Sequence, residues 1–185
     1  MKVGERHYHT IWLNEDGRSV DIIDQRWLPH EFRIVTLRTV ADIATAIRDM
    51  WVRGAPLIGV TAAYGVAIAM AKDPSDAHLD AVWEELNETR PTAINLRWAL
   101  NAMRQHLSVL PEDERASAAY QRAAGIAEED VELNRAIGAN GLDVIRQIAA
   151  KKTPGEPVRI LTHCNAGWLA TVDYGTATAP IYMAV

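Results

Sequence analysis

The chain has 185 residues, 49% hydrophobic and 23% charged, the composition of one globular domain with room for part of a second. Its formal net charge is −5 with both signs interspersed, which excludes a general nucleic-acid binder with a basic face but not a small anionic ligand held by a few arginines. A single cysteine excludes an internal disulfide and makes a reducing cytoplasm the default compartment.

The first residues, through Arg6 and His7, lack the apolar core of a signal peptide. Tyr8–Leu13, Ser19–Asp24 and Arg33–Thr39 read as short strands of a small antiparallel sheet, with a turn at Asn14-Glu15-Asp16-Gly17. Thr39 with Asp42 forms a capping-box pattern that opens a helix to about Met50. Gly54 to Ala71 carries no charge and just reaches the length of a membrane span. Its alanines, glycines and valines, with Pro56, Thr61 and Tyr64, read instead as a helix buried on all sides. Ser75–Glu88 reads as a third helix, and Pro91 opens a fourth to about Leu107. Pro111 starts a long helical region to Lys152, which Gly125, Gly138 and Gly141 interrupt or pack closely.

Thr153-Pro154-Gly155-Glu156-Pro157 breaks that region and sets a domain boundary, with one domain over 1–152 and the start of another over 153–185. The β-branched run Val158–Leu161 reads as a buried strand, and Trp168 to Ala179 can start the helix after it. The fold class expected is α/β: an α+β N-terminal part, then the first βα unit of a second domain. A buried strand needs partners on both edges, and nothing after Val185 supplies them, so the chain reads as unfinished.

Three stretches carry chemistry. Cys164 follows the strand in Thr162-His163-Cys164-Asn165-Ala166-Gly167, where a following helix start favours a thiolate and a bound anion. Arg53-Gly54-Ala55-Pro56 and Arg90-Pro91-Thr92 each set an arginine before a helix start, whose first N–H groups lack intrahelical partners. A guanidinium beside such N–H groups suits a phosphate. His7 and His9 share a strand face and suit a metal, but no third ligand is evident, so exposed strand histidines are the favoured reading. His163 points away from Cys164 on a strand and reads as structural. Glu128-Glu129-Asp130 reads as a solvated helix face, and helical spacing does not place Asp173 beside Cys164. Walker, nucleophile-elbow and dinucleotide-binding motifs are missing.

Arg53-Gly54-Ala55-Pro56, Ile58-Gly59, Ala62-Ala63-Tyr64-Gly65, Arg90-Pro91-Thr92-Ala93-Ile94-Asn95-Leu96, Leu161–Gly167 and Tyr174-Gly175-Thr176-Ala177 occur in this order. Together they resemble the methylthioribose-1-phosphate isomerase family, relatives of the regulatory subunits of translation initiation factor 2B. The resemblance spans this chain but only about the first half of the family's length. It implies an aldose–ketose isomerisation of 5-methylthioribose 1-phosphate in methionine salvage, without a cofactor or a required metal. It puts Cys164 at the catalytic cysteine, and Arg53, Gly54, Ala55 and Arg90 on the phosphate. It also implies a Rossmann-like second domain, a homodimer, no nucleic-acid or membrane partner, and a catalytic aspartate at no position of this chain. Trp168 and Asp173 depart from the family's small residues and put the pocket's shape in question. The alternatives are an isomerase of ribose 1,5-bisphosphate or 5-deoxyribose 1-phosphate, and a non-catalytic regulatory subunit.

Overall fold

The computed structural model describes residues 2–185. A two-stranded hairpin, β1 (Lys2–Val3) and β2 (Arg6–His7), opens the chain. A three-stranded antiparallel sheet follows, in the order β3 (Ile11–Leu13), β4 (Val20–Ile23), β5 (Ile34–Leu37). The expected first strand, Tyr8–Leu13, is therefore shortened to its last three residues, and because Tyr8 and His9 lie between β2 and β3, His7 and His9 do not share a strand. All four residues of β4 are buried, including Asp21, which accepts hydrogen bonds from Asn14 Nδ2 (2.8 Å) and the Thr36 hydroxyl (2.6 Å). Those two partners offset the cost of burying a carboxylate under the sheet.

Helices α1 (Val40–Arg48), α2 (Ala55–Met70), α3 (Asp76–Thr89), α4 (Ile94–Leu107) and α5 (Glu112–Ala149) form the body. The capping box that opens α1 is complete: the Thr39 hydroxyl accepts from Asp42 N–H, and the Asp42 carboxylate accepts from Thr39 N–H. Ser75 caps α3 in the simpler way, through His78 N–H. Helix α2 is apolar around its whole circumference and is buried from Leu57 to Ala67. It packs against α1, α3, α4 and α5. No helix among the described residues is long and apolar enough to cross a membrane.

Helix α5 runs unbroken for 38 residues, about 57 Å. Its glycines do not interrupt it. Gly138 and Gly141 make room for the short α6 (Ala179–Met183), because a Cβ at Gly141 would lie 2.2 Å from Pro180 Cγ.

The segment after α5 departs from the sequence reading. Residues 157–163 form no strand, and Ile160 and Leu161 are exposed. No described strand lies alongside to accept their backbone hydrogen bonds, and pairing is what makes a strand. Trp168–Ala170 is a single 3-10 turn rather than the start of a long helix. Residues 171–173 then return to the N-terminal region. Thr10 N–H donates to Val172 O (3.0 Å), and the Thr10 hydroxyl donates to Thr171 O (2.5 Å).

The turn between β3 and β4 gives a pH test. Asp16 accepts hydrogen bonds from the Ser19 hydroxyl, Ser19 N–H and Arg18 N–H, which lower its pKa from 3.8 to about 2. The unfolded chain takes up this proton first, so the contribution is complete above 3.8 and disappears as pH falls toward about 2. Asp16→Asn should flatten the acid limb of the thermal midpoint within that window, as read by circular dichroism.

Candidate active site

The start of α2 is fixed by a glycine that nothing else can replace. Gly54 caps the helix at φ 99°, and a Cβ there would lie 2.3 Å from Ala170 Cα. Its backbone therefore touches the 3-10 turn directly. Ala55 and Leu57 present first-turn N–H groups without intrahelical acceptors, and Pro56, which has no N–H, sits between them.

A second backbone contact locks the neighbouring loops. Gly175, at φ 75°, stands where a Cβ would lie 2.2 Å from Gly167 C. The Cys164 loop and the Thr176 loop are thereby held backbone against backbone. Cys164 itself is exposed and left-handed at φ 70°. A non-glycine residue in that region carries strain of about 1–3 kcal/mol, and such residues cluster at functional sites. Met50 is a second case, at φ 57°.

These elements enclose one open cleft of about 690 Å³. All five residues singled out in the sequence line it: Arg53, Gly54, Ala55, Arg90 and Cys164. Met50, His163, Asn165 and Thr176 join them. His163 lines the cleft because its segment is not a strand, so the alternation that would turn it away from Cys164 does not operate. Met50 was missed entirely, and only its position three residues before Arg53 pointed to it. No Asp or Glu lines the cleft.

Two details differ from expectation. The helix start at the cleft is that of α2, not one following Cys164, where only three residues of 3-10 turn occur. Arg90 does not directly precede α4. It caps the end of α3 at φ −148° and ψ 80°, outside the helical region that a following proline disfavours, and Arg90–Ala93 form a turn closed by Ala93 N–H on Arg90 O (2.9 Å).

Arg53 is directed by its surroundings. Its Nη2 lies 3.5 Å from Gln25 O, and Gln25 Nε2 donates to Leu169 O (2.7 Å). Trp168 does not line the cleft. It stacks on Tyr182, with ring centroids 3.8 Å apart and planes 2° from parallel, over an adjoining hollow shared with Arg53 and Asn165. On α5, Asp130 accepts from Val172 N–H (2.7 Å) and Asn134 Nδ2 (2.9 Å). Burial pushes its carboxyl above the ordinary aspartate value against those two hydrogen bonds. Only part of the acidic run is thus a solvated face.

The fold defines the class first. A helical body bearing a small sheet is an architecture that the chain shares with two solved structures. One is 5-methylthioribose 1-phosphate isomerase from Pyrococcus horikoshii, with a TM-score of 0.81 and 37% identity, covering 96% of this chain and 49% of that one. The other is subunit delta of translation initiation factor eIF-2B from A. fulgidus, with a TM-score of 0.80 and 34% identity, covering 96% and 51%. The model of the Initiation factor 2 subunit family matches residues 51–184, and the chain belongs to that family. Among curated relatives, the methylthioribose-1-phosphate isomerase of Brucella anthropi is 92% identical over all 185 residues. The chain spans about half the length of the curated relatives it matches, 51% in that case.

The contact at Gly54 is testable. Gly54→Ala must accommodate both a positive φ and a backbone overlap, so it should destabilise the fold by at least about 2 kcal/mol in urea unfolding.

Proposed function

We propose that this chain supplies the phosphate cradle and the catalytic thiol of a methylthioribose-1-phosphate isomerase. The observation that carries the proposal is the cleft's lining: two arginines, a helix start and a strained cysteine, with no carboxylate among them. Relatives of that name, so similar over this whole chain, support the choice of substrate.

The phosphate sits at the start of α2, where the N–H groups of Ala55 and Leu57 and the partial positive charge of the helix favour an anion. Arg53 and Arg90 add charge-assisted hydrogen bonds. Gly54 lets the ligand approach the backbone. The substrate's anomeric oxygen is phosphorylated, so its ring needs assistance to open. One hydrogen then moves from C2 to C1, and the aldose becomes a ketose with the same atoms. No external oxidant or reductant is consumed. Cys164 serves as an acid–base group in these transfers. Its counterpart is not among the residues that line the cleft. We read residues 153–185, which carry the thiol, as the beginning of a second domain, and the whole protein as a cytoplasmic homodimer without nucleic-acid partners.

Ketose formation from 5-methylthioribose 1-phosphate tests the proposal. Cys164→Ser should reduce turnover by roughly 100-fold or more while inorganic phosphate still binds. Arg90→Ala should weaken phosphate binding by about 1.5–3 kcal/mol, seen in titration calorimetry. Turnover that survives loss of the thiol would overturn the catalytic assignment.

A further inference from the structure

Outside the cleft, three metal-ligating side chains from distant parts of the chain converge. His7 closes β2, His9 follows two residues on, and Asp173 arrives on the segment that returns to Thr10. His7 Nε2 lies 2.5 Å from Asp173 Oδ2, and His9 Nε2 lies 3.6 Å from the same oxygen. All three ligand atoms fall within 4.8 Å of one another. The sequence supplied the two histidines and no third ligand; the fold supplies it.

We propose that His7 Nε2, His9 Nε2 and Asp173 Oδ2 form a binding site for a divalent first-row transition-metal ion such as Zn²⁺ or Co²⁺. Two imidazoles and a carboxylate are a donor set suited to those ions, and three protein ligands leave a position for water. The arrangement is built rather than accidental. Asp173 is buried, and its Oδ1 accepts from Tyr174 N–H (2.8 Å), which turns Oδ2 toward the histidines. The two imidazole rings stand nearly perpendicular, at 80°. Thr10 pins the strand region to residues 171 and 172, and Asp130 pins Val172 from the other side. Such surrounding hydrogen bonds orient metal ligands.

An ion would draw the three side chains into a tighter arrangement than they have without it. Zn–N bonds of about 2.0–2.1 Å in a tetrahedral site place ligand atoms roughly 3.3 Å apart. The His9–Asp173 pair already has nearly this spacing. His7 must withdraw by roughly 1 Å from its hydrogen bond with Asp173, and the two half-exposed imidazoles must turn toward each other to bring all three ligand atoms, now spread over as much as 4.8 Å, onto one ion. The bound ion would cross-link the N-terminal hairpin to the loop that carries Thr176 and Ala177 into the cleft. It would act as a clamp at the site's rim, not as a participant in the isomerisation.

The test is titration of the purified protein with Co²⁺ alone, followed by Zn²⁺ competition. Expected are one ion per chain, visible d–d bands without a thiolate-to-metal charge-transfer band, and a raised Tm with the metal. His9→Gln, an exposed change that leaves the fold intact by circular dichroism, should weaken binding on the order of 10-fold or more. Asp173→Asn should do the same where it folds. Absence of saturable d–d bands would overturn the proposal. So would unchanged affinity in His9→Gln, or a charge-transfer band that vanishes in Cys164→Ser, which would put the ion on the thiol instead.

Discussion

A helix without a polar face must be covered on every side, and α2 imposes that demand on the whole chain. Its apolar circumference draws α1, α3, α4 and α5 around it. Burying such a surface is favourable by about 25 cal/mol per Å², and the segment has no other way to leave water. The glycines follow from the same demand. A Cβ at Gly59 would lie 2.9 Å from Asn95 O, and one at Gly65 would lie 2.8 Å from Ile43 Cγ2, so neighbouring elements close on α2 only because those side chains are absent. Once the helix is enclosed, only its ends reach the surface. Its N-terminus is where the cleft lies.

The cleft inherits its geometry from two backbone contacts. Gly54 against Ala170 fixes the α2 start to the 3-10 turn, and Gly175 against Gly167 fixes the following loop to the cysteine loop. Neither contact tolerates a side chain. The thiol is thus placed by main-chain packing across more than a hundred residues of sequence. This explains why the segment carrying Cys164 holds its position although residues 157–163 contribute no strand.

Local chemistry was legible in the sequence. Thr39 with Asp42, Ser75 before α3 and the proline at the start of α2 announced those helix starts, because a cap depends on residues within a turn of it. All five residues proposed for the site fell into one cleft. What depended on distant partners was not legible. Val158–Leu161 has strand-forming residues, yet a strand exists only beside another. The convergence of Asp173 on His7 joins residues 166 positions apart, and no local periodicity encodes that. Arg90 was misplaced by three residues because Pro91 supports either a helix start or a turn, and packing chose the turn.

The sign of the cleft runs against the sign of the chain. The net charge is −5, yet the cleft's lining carries two arginines and no carboxylate. Long-range attraction of an anion is therefore weak, since charges beyond a Debye length of about 8 Å are screened. Selectivity for an anion has to come from contact: guanidinium forks, the free N–H groups of α2, and glycine allowing both to be reached. Acidic surface elsewhere does not oppose this, because the same screening isolates it from the cleft. A cleft that selects at contact also releases once the contact geometry changes. In the isomerisation proposed above, substrate and product would both carry the phosphate, and binding that shared group too tightly would stabilise both states alike and accelerate nothing.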